Sequence, residues 1–202
     1  MNKPLNHATT PLVQTTNEDS SREEGIWVLI LGDMVVFALF FLVFTYYRAL
    51  DVELFEQSQR LLNVTLGLCN TLILLTSSLF VALAVRQVRH GEPGRGRILL
   101  FLAMVCGISF GVVKFFEYSQ KISIGITPAT NDFFMYYFMF TGIHLLHVTV
   151  GLVVLLFAIF HTRRKPAGEG VAGTRLIEAG ALFWHLVDLL WVVLFALIYL
   201  MG

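Results

Sequence analysis

The sequence predicts an all-α integral membrane protein, a bundle of five transmembrane helices, and three observations carry that prediction. The 202 residues are 56% hydrophobic, with a mean hydropathy of +0.74. The charged residues gather between long apolar runs that hardly alternate with polar residues, unlike the surface elements of a water-soluble domain. Five of these runs reach the roughly 20 apolar residues that a helix needs to cross the hydrocarbon core. They fall at approximately 25–47, 62–85, 98–118, 133–160 and 177–201.

Residues 1–24 are polar, with Pro4, Pro11 and a mix of threonine, serine and acids, and are expected to form a disordered cytoplasmic tail. Glu18, Asp19, Glu23 and Glu24 are unlike the basic start of a signal peptide, and the apolar run behind them is too long for one. The membrane domain is then 25–202. Its first helix carries Asp33, roughly 12 Å in at about 1.5 Å per residue from Gly25.

The second helix contains NTLILLTSS (Asn70–Ser78), whose amide and hydroxyls suit hydrogen bonds across helices worth about 0.6–2 kcal/mol each. GEPGRGR (Gly91–Arg97) is a breaker-rich connection to the third helix. There Lys114 and Glu117 lie three apart near the outward end. They are expected to pair, with the lysine stem reaching towards the interface. Cys69 and Cys106 fall inside spans, without a CxxC, and read as small packing residues.

The fourth helix carries TGIHLLHVTVG, with His144 and His147 one turn apart and Gly142 and Gly151 placed for close helix approach. Two histidines on one side of a helix cannot be trans ligands of one haem. A metal set of His144, His147 and His185 is the sharper reading and hydrogen-bonded packing the plainer one; packing is preferred, so no metal site is assigned. After KPAGEGVAG (Lys165–Gly173) comes the fifth helix, with Glu178, His185 and Asp188 in an otherwise apolar span. Ionisable groups in a span cost roughly 2.5–3.5 kcal/mol at the centre, so they face protein or water. His185 and Asp188 share a face flanked by Trp184 and Trp191. Either Asp33, His185 and Asp188 hydrogen-bond one another and lock the bundle, or a carboxylate there holds and passes a proton. The two tryptophans would face the helix carrying Thr141–Gly151 or a lipid headgroup.

Fourteen basic residues balance fourteen acidic ones, but the distribution is lopsided. Lys3, Arg22, Arg86, Arg89, Arg95, Arg97, Arg163, Arg164, Lys165 and Arg175 fall on one side of the spans, and only Arg48, Arg60 and Lys121 on the other. By the positive-inside rule the N-terminus is cytoplasmic and the C-terminus periplasmic, in a bacterial inner membrane. The arginines flank spans, so they report topology and not nucleic-acid binding. No phosphate-cradling glycine loop, nucleophile–base pair or complete redox ligand set is present, so the chain is read as non-catalytic by itself and cofactor-free. A small proton or solute transporter would also use Asp33, Lys114 and Asp188, but no internal repeat is visible. A b-type cytochrome would use the histidines.

Several motifs together resemble the subunit III family of haem-copper respiratory oxidases. EAGALFWHLVDLLWVVLFALIYL (Glu178–Leu200) is similar to that family's last helix, and TGIHLLHVTVG to its G-x-H-x-x-H-V-x-x-G element. NTLILLTSS and FEY (Phe116–Tyr118) also match, and LGDMVVF (Leu31–Phe37) lies where the family usually has a membrane glutamate, here Asp33. The resemblance runs in order from about Gly25 to Gly202.

It implies an accessory subunit that binds no haem or copper, packs on the catalytic subunit I, holds structural phospholipid and sustains assembly, turnover stability and proton uptake. Haem with copper or non-haem iron would sit in the partner. Carried over, Asp33 replaces the carbodiimide-reactive carboxylate, and Glu117, His144, His147, Glu178, His185 and Asp188 form a polar core. Many members have two further N-terminal helices enclosing a lipid cleft, which is not expected here. Five-helix versions serve quinol or cytochrome c oxidases, or accompany nitric oxide reductase in denitrification (NorE-type); the short chain and Glu178 ahead of the W-H-x-x-D-x-x-W stripe lean towards the latter.

Overall fold

The computed structural model describes residues 12–164 and 172–201. Among them are six α-helices: α1 (Leu12–Leu50), α2 (Val52–Gln59), α3 (Val64–Arg89), α4 (Pro93–Ser123), α5 (Asp132–Arg164) and α6 (Ala172–Phe195), the last continuing into a π-turn, Ala196–Leu200. Five are long and apolar enough to cross a membrane, through Ile30–Leu50, Val64–Arg89, Pro93–Ser123, Asp132–Phe160 and Ile177–Leu200. The all-helical, five-span expectation therefore holds. The short α2 is additional. Residues 1–11 of the expected tail lie outside the described residues, and α1 begins at Leu12.

Helix boundaries follow local chemistry. Asp51 caps α2 by accepting from the Leu54 amide at 3.2 Å, and Asn63 caps α3 by accepting from Leu66 at 3.1 Å. Asn131 does the same for α5 through Phe134, at 2.9 Å. Pro93 opens α4, where its missing N–H costs nothing. Gly91 stops α3 with φ +79°, and the Glu92 amide reaches back to the Gln87 carbonyl at 3.0 Å. Glycine alone adopts that left-handed geometry without strain.

The chain divides into two compact units, Met1–Ala38 and Leu39–Gly202. The first contains the early turns of α1, where Leu31, Met34 and Val35 are exposed and Asp33 is half-buried. In the second, the end of α1 is held by aromatic side chains. Phe44 meets Phe55, Phe133, Tyr136 and Phe140 with ring centroids 5.5–6.5 Å apart.

Within that second unit α6 is the innermost span: 56% of its apolar window is buried, against 28–33% for α3, α4 and α5. Its neighbours are antiparallel α3 and α5 and parallel α4. Small residues let them approach. A Cβ on Gly151 of α5 would stand 2.7 Å from the Trp184 ring, and one on Gly107 of α4 2.8 Å from the same ring. Gly142 does not share this role, since nothing lies within 4 Å of a Cβ there; it sits on the part-exposed side of α5. Outward rows such as Leu68, Leu72, Leu75 and Leu79 on α3, and Phe101, Val105, Ile108 and Val112 on α4, present apolar surface. Water would penalise such a surface; a lipid phase accepts it. Cys69 is also exposed on this outer surface and so does not pack in the interior, and both cysteines are free.

Candidate functional site

Polar side chains within the bundle meet on the inward face of α4 and along α6. On α4, Phe110, Lys114, Glu117 and Lys121 recur at helical spacing and are all buried. Lys114 Nζ lies 2.8 Å from Glu117 Oε2 and donates to the Tyr199 hydroxyl at 2.8 Å, while that hydroxyl donates to Glu117 Oε1 at 2.7 Å. Lys114 and Glu117 are only 1% and 3% exposed. The ammonium also faces the rings of Trp191 at 4.7 Å, Tyr199 at 5.2 Å and Tyr137 at 5.4 Å. Cation–π attraction is strongest where water is absent. The pairing expected from spacing is present, but the stem points inward and not to the interface. The three rings and Glu117 together offer the ammonium more than it would gain by reaching for water.

Lys121, one turn further on, donates to the Leu61 carbonyl at 3.1 Å and so ties α4 to the turn after α2. Tyr118 bonds Thr141 at 2.5 Å, tying α4 to α5. Towards the other end, Trp191 Nε1 donates to Thr71 Oγ1 at 3.0 Å. His144 is fully buried, packed edge-on to Phe110 at 5.5 Å and over Trp191 at 5.1 Å. Neither of its ring nitrogens has a hydrogen-bond partner among the described residues, and the same is true of both Asn70 amide atoms.

One level further, Ser78 Oγ lies 2.6 Å from His185 Nδ1, and Ser77 donates to the Ala103 carbonyl at 2.8 Å. Asp188 is 5% exposed, with Oδ1 unpartnered among the described residues. At the edge, Glu178 Oε1 accepts from Arg89 Nε at 2.8 Å.

The sequence-picked residues thus separate. Glu117 belongs to the buried core, as do His144, Asp188, Trp184 and Trp191, with His185 half-buried beside them. Glu178 is a rim residue, 32% exposed and paired to an exposed arginine. His147 faces partly outward, its Nδ1 on the Ile143 carbonyl at 2.8 Å and its ring 6.5 Å from Phe183. Asp33 lies in the other unit. His144, His147 and His185 do not converge, and among the described residues no three His, Cys, Asp or Glu side chains group to hold a metal ion. Trp184 and Trp191 face helices and not headgroups: Trp184 seats on Gly107 and Gly151, and Trp191 on Phe110 and His144.

Sequence reasoning missed Tyr199 and Gly107 as parts of this interior, while Thr71 bonds across helices as expected of the Asn70–Ser78 run. The available signal was the continuation of the Trp184–Asp188–Trp191 face to Phe195 and Tyr199. What the arrangement does chemically is to satisfy charge internally. Lys114, Glu117 and Tyr199 each bond the other two, and the rings of Trp191, Tyr137 and Tyr199 surround the ammonium.

A match to cytochrome c oxidase subunit III covers residues 14–202, which is nearly the whole chain. The chain belongs to the cytochrome c oxidase subunit III family. It is similar to a cytochrome bo(3) ubiquinol oxidase subunit 3 of Buchnera aphidicola subsp. Acyrthosiphon pisum (strain APS), 27% identical over 88% of this chain and 85% of the relative. It is also similar to a probable quinol oxidase subunit 3 of Staphylococcus aureus (strain USA300), 23% identical over 98% of both chains. In this chain the Trp184–Trp191 stripe of α6 meets α5 where Gly151 receives Trp184 and His144 packs on Trp191.

Proposed function

We infer that this chain is the accessory subunit III of a haem-copper terminal oxidase, most simply one fed by quinol. It would be a multi-pass protein of the bacterial inner membrane with a cytoplasmic N-terminus. The family match across residues 14–202 carries the reading, and the names of the relatives favour a quinol oxidase. The interior supports a non-redox role, because its most buried charges, Lys114 and Glu117, are consumed in bonds to each other and to Tyr199. The chain itself would hold no haem or copper. Its partner is the catalytic subunit I, which would carry the haem with copper, or with non-haem iron if the complex reduces nitric oxide. Its contribution is assembly and turnover stability of that subunit, with Asp33, Glu117, His185 and Asp188 as candidates for support of proton uptake and Glu178 as a rim contact.

A pull-down in mild detergent tests this. The expected result is a colourless chain that recovers a haem-bearing catalytic subunit consuming oxygen with quinol as donor. Recovery of a nitric oxide reductase would move the chain to the NorE-type branch. Recovery of no haem protein, together with ion flux in liposomes holding this chain alone, would replace the subunit reading with a transporter. A Soret band that stays with the isolated chain would make it a cytochrome.

A further inference from the structure

Although α6 is the innermost span, one stripe of it stays open. Leu182, His185, Leu189 and Val192 recur three and four residues apart and so share a face. The leucines and the valine on it are exposed, and His185 is half-buried among them. Asp188, by contrast, turns inward and is 5% exposed. The imidazole sits well inside the candidate span Ile177–Leu200, roughly 12 Å beyond Ile177 at about 1.5 Å per residue. Ser78 of α3 meets its Nδ1 at 2.6 Å, which fixes the ring. Among the described residues Nε2 has no hydrogen-bond partner.

Other polar side chains that face outward are satisfied by their own helices. Thr76 donates to the Leu72 carbonyl at 2.7 Å, and Thr149 to the Leu145 carbonyl at 2.9 Å. His185 cannot close on itself in this way, because its ring keeps two polar nitrogens in either tautomer and Ser78 serves one. Acyl chains offer neither donor nor acceptor at that depth, and a polar atom left unpaired in hydrocarbon is costly. The side chain is too short to reach the headgroups. What covers the stripe is therefore protein that presents a polar group to Nε2. A second copy of this chain does not fit. Contact across a twofold axis sets each residue against its own equivalent. With Ser78 on each Nδ1, the two Nε2 atoms would be both donors or both acceptors.

We propose that the Leu182–Val192 stripe of α6 docks a membrane helix of the haem-bearing catalytic subunit, and that this helix carries an uncharged hydrogen-bonding side chain that meets His185 Nε2. This docking rests on the accessory-subunit reading and adds to it the face and the residue. Leu182, Leu189 and Val192 supply the packing. The single polar bond sets register and partner choice, because a helix without a matching group strands Nε2. Ser78 is a positioning residue that holds the ring in place for the partner.

The test recovers the tagged full-length chain, expressed with the subunits that accompany it, in mild detergent. It reads the haem-bearing subunit retained and the unfolding midpoint of the chain. His185→Leu should lower retention about three- to tenfold, the effect of one hydrogen bond between membrane helices, with the midpoint near the wild-type value. His185→Gln should restore part of the retention. Leu189→Trp should block docking by bulk, whereas Ile108→Trp on the outward row of α4 should leave it unchanged. A photo-crosslinker carried in place of Leu189 should attach the haem-bearing subunit. Attachment to a second copy of this chain, to another part of the same chain or to lipid alone would name a different occupant and overturn the proposal. So would wild-type retention in both His185→Leu and Leu189→Trp, or equal loss in Leu189→Trp and Ile108→Trp. Loss in His185→Leu with a lowered midpoint, and wild-type retention in Leu189→Trp, would mark a packing role for the imidazole and also overturn it. A wild-type chain that retains no haem protein removes the accessory reading and this docking with it; wild-type retention that no stripe variant alters removes the docking alone.

Discussion

Lys114 on α4 and Tyr199 in the terminal π-turn, 85 residues apart in sequence, are joined by a 2.8 Å hydrogen bond inside the bundle. The same hydroxyl donates to Glu117 at 2.7 Å, which closes a ring of three bonds around a buried charge pair. The π-turn has a wider backbone spiral than an α-helix and so changes how side chains follow Phe195. That turn delivers the hydroxyl to α4. The C-terminal end of α6 is thereby fixed to the helix that carries both charges.

Removing one partner of the pair should be far worse than removing both. Glu117→Leu leaves an ammonium buried without its counter-charge, a loss of about 3–5 kcal/mol by analogy with other buried pairs. The double variant Lys114→Met with Glu117→Leu should recover most of this, since apolar replacement of a whole buried pair is often neutral or better. Thermal unfolding of the single and double variants in detergent decides it. A double variant less stable than Glu117→Leu would mean that the pair itself stabilises the bundle.

Tyr199→Phe retains the ring beside Lys114 but removes two hydrogen bonds. It should cost about 1–3 kcal/mol, the usual penalty for leaving buried polar partners short, and should loosen the C-terminal turn first. Hydrogen exchange at residues 196–200 reads this directly. Unchanged protection there would show that the hydroxyl does not hold the turn.

Thr71→Val and His144→Phe should behave oppositely although both are buried polar residues. The valine is nearly isosteric but removes the acceptor of Trp191 Nε1, stranding an indole N–H at a site with no exposure; about 1–3 kcal/mol should be lost. The phenylalanine keeps aromatic contact with Phe110 and Trp191 and replaces a ring whose nitrogens bond nothing among the described residues. Its effect should stay below about 1 kcal/mol. Equal losses in a denaturant series would contradict this division.

Two glycines on α5 give a packing test. Gly151→Ala puts a methyl 2.7 Å from the Trp184 ring and should destabilise by about 1–3 kcal/mol. Gly142→Ala meets nothing within 4 Å and should be neutral or gain up to about 1 kcal/mol from better helix propensity. Comparing expression and the unfolding midpoint of the two variants is sufficient, and equal destabilisation would argue against close approach at Gly151.

The legible part of the site was the part written in local periodicity. Lys114 and Glu117 are three apart, so their pairing follows from helix geometry alone. The hydroxyls of Asn70–Ser78 likewise had to face something, and Thr71, Ser77 and Ser78 do bond other helices. Glu178 was misplaced because an acid at the head of a span reads the same whether it turns inward or along the rim. The direction was decided by Arg89, 89 residues away, which offers a guanidinium at 2.8 Å. Lys114 was misdirected for a related reason. A lysine near a span end ordinarily reaches for water, and only the assembled cage of Trp191, Tyr137 and Tyr199 makes the inward direction better.

By itself the sequence determined five spans, their apolar character, the glycine-rich connections that end helices, and motifs enough to resemble the subunit III family. Those are properties of short windows, set by burial in lipid and by a 3.6-residue repeat. The tertiary structure alone decided which helix became innermost, which glycines took tryptophan, and which polar groups met. Each of these depends on the rotation and crossing of whole helices, and a turn of a few tens of degrees exchanges a lipid-facing side chain for a buried one. Tyr199 is the clearest case: an ordinary residue of an apolar tail in the sequence, and in the fold the hydroxyl that joins both charges.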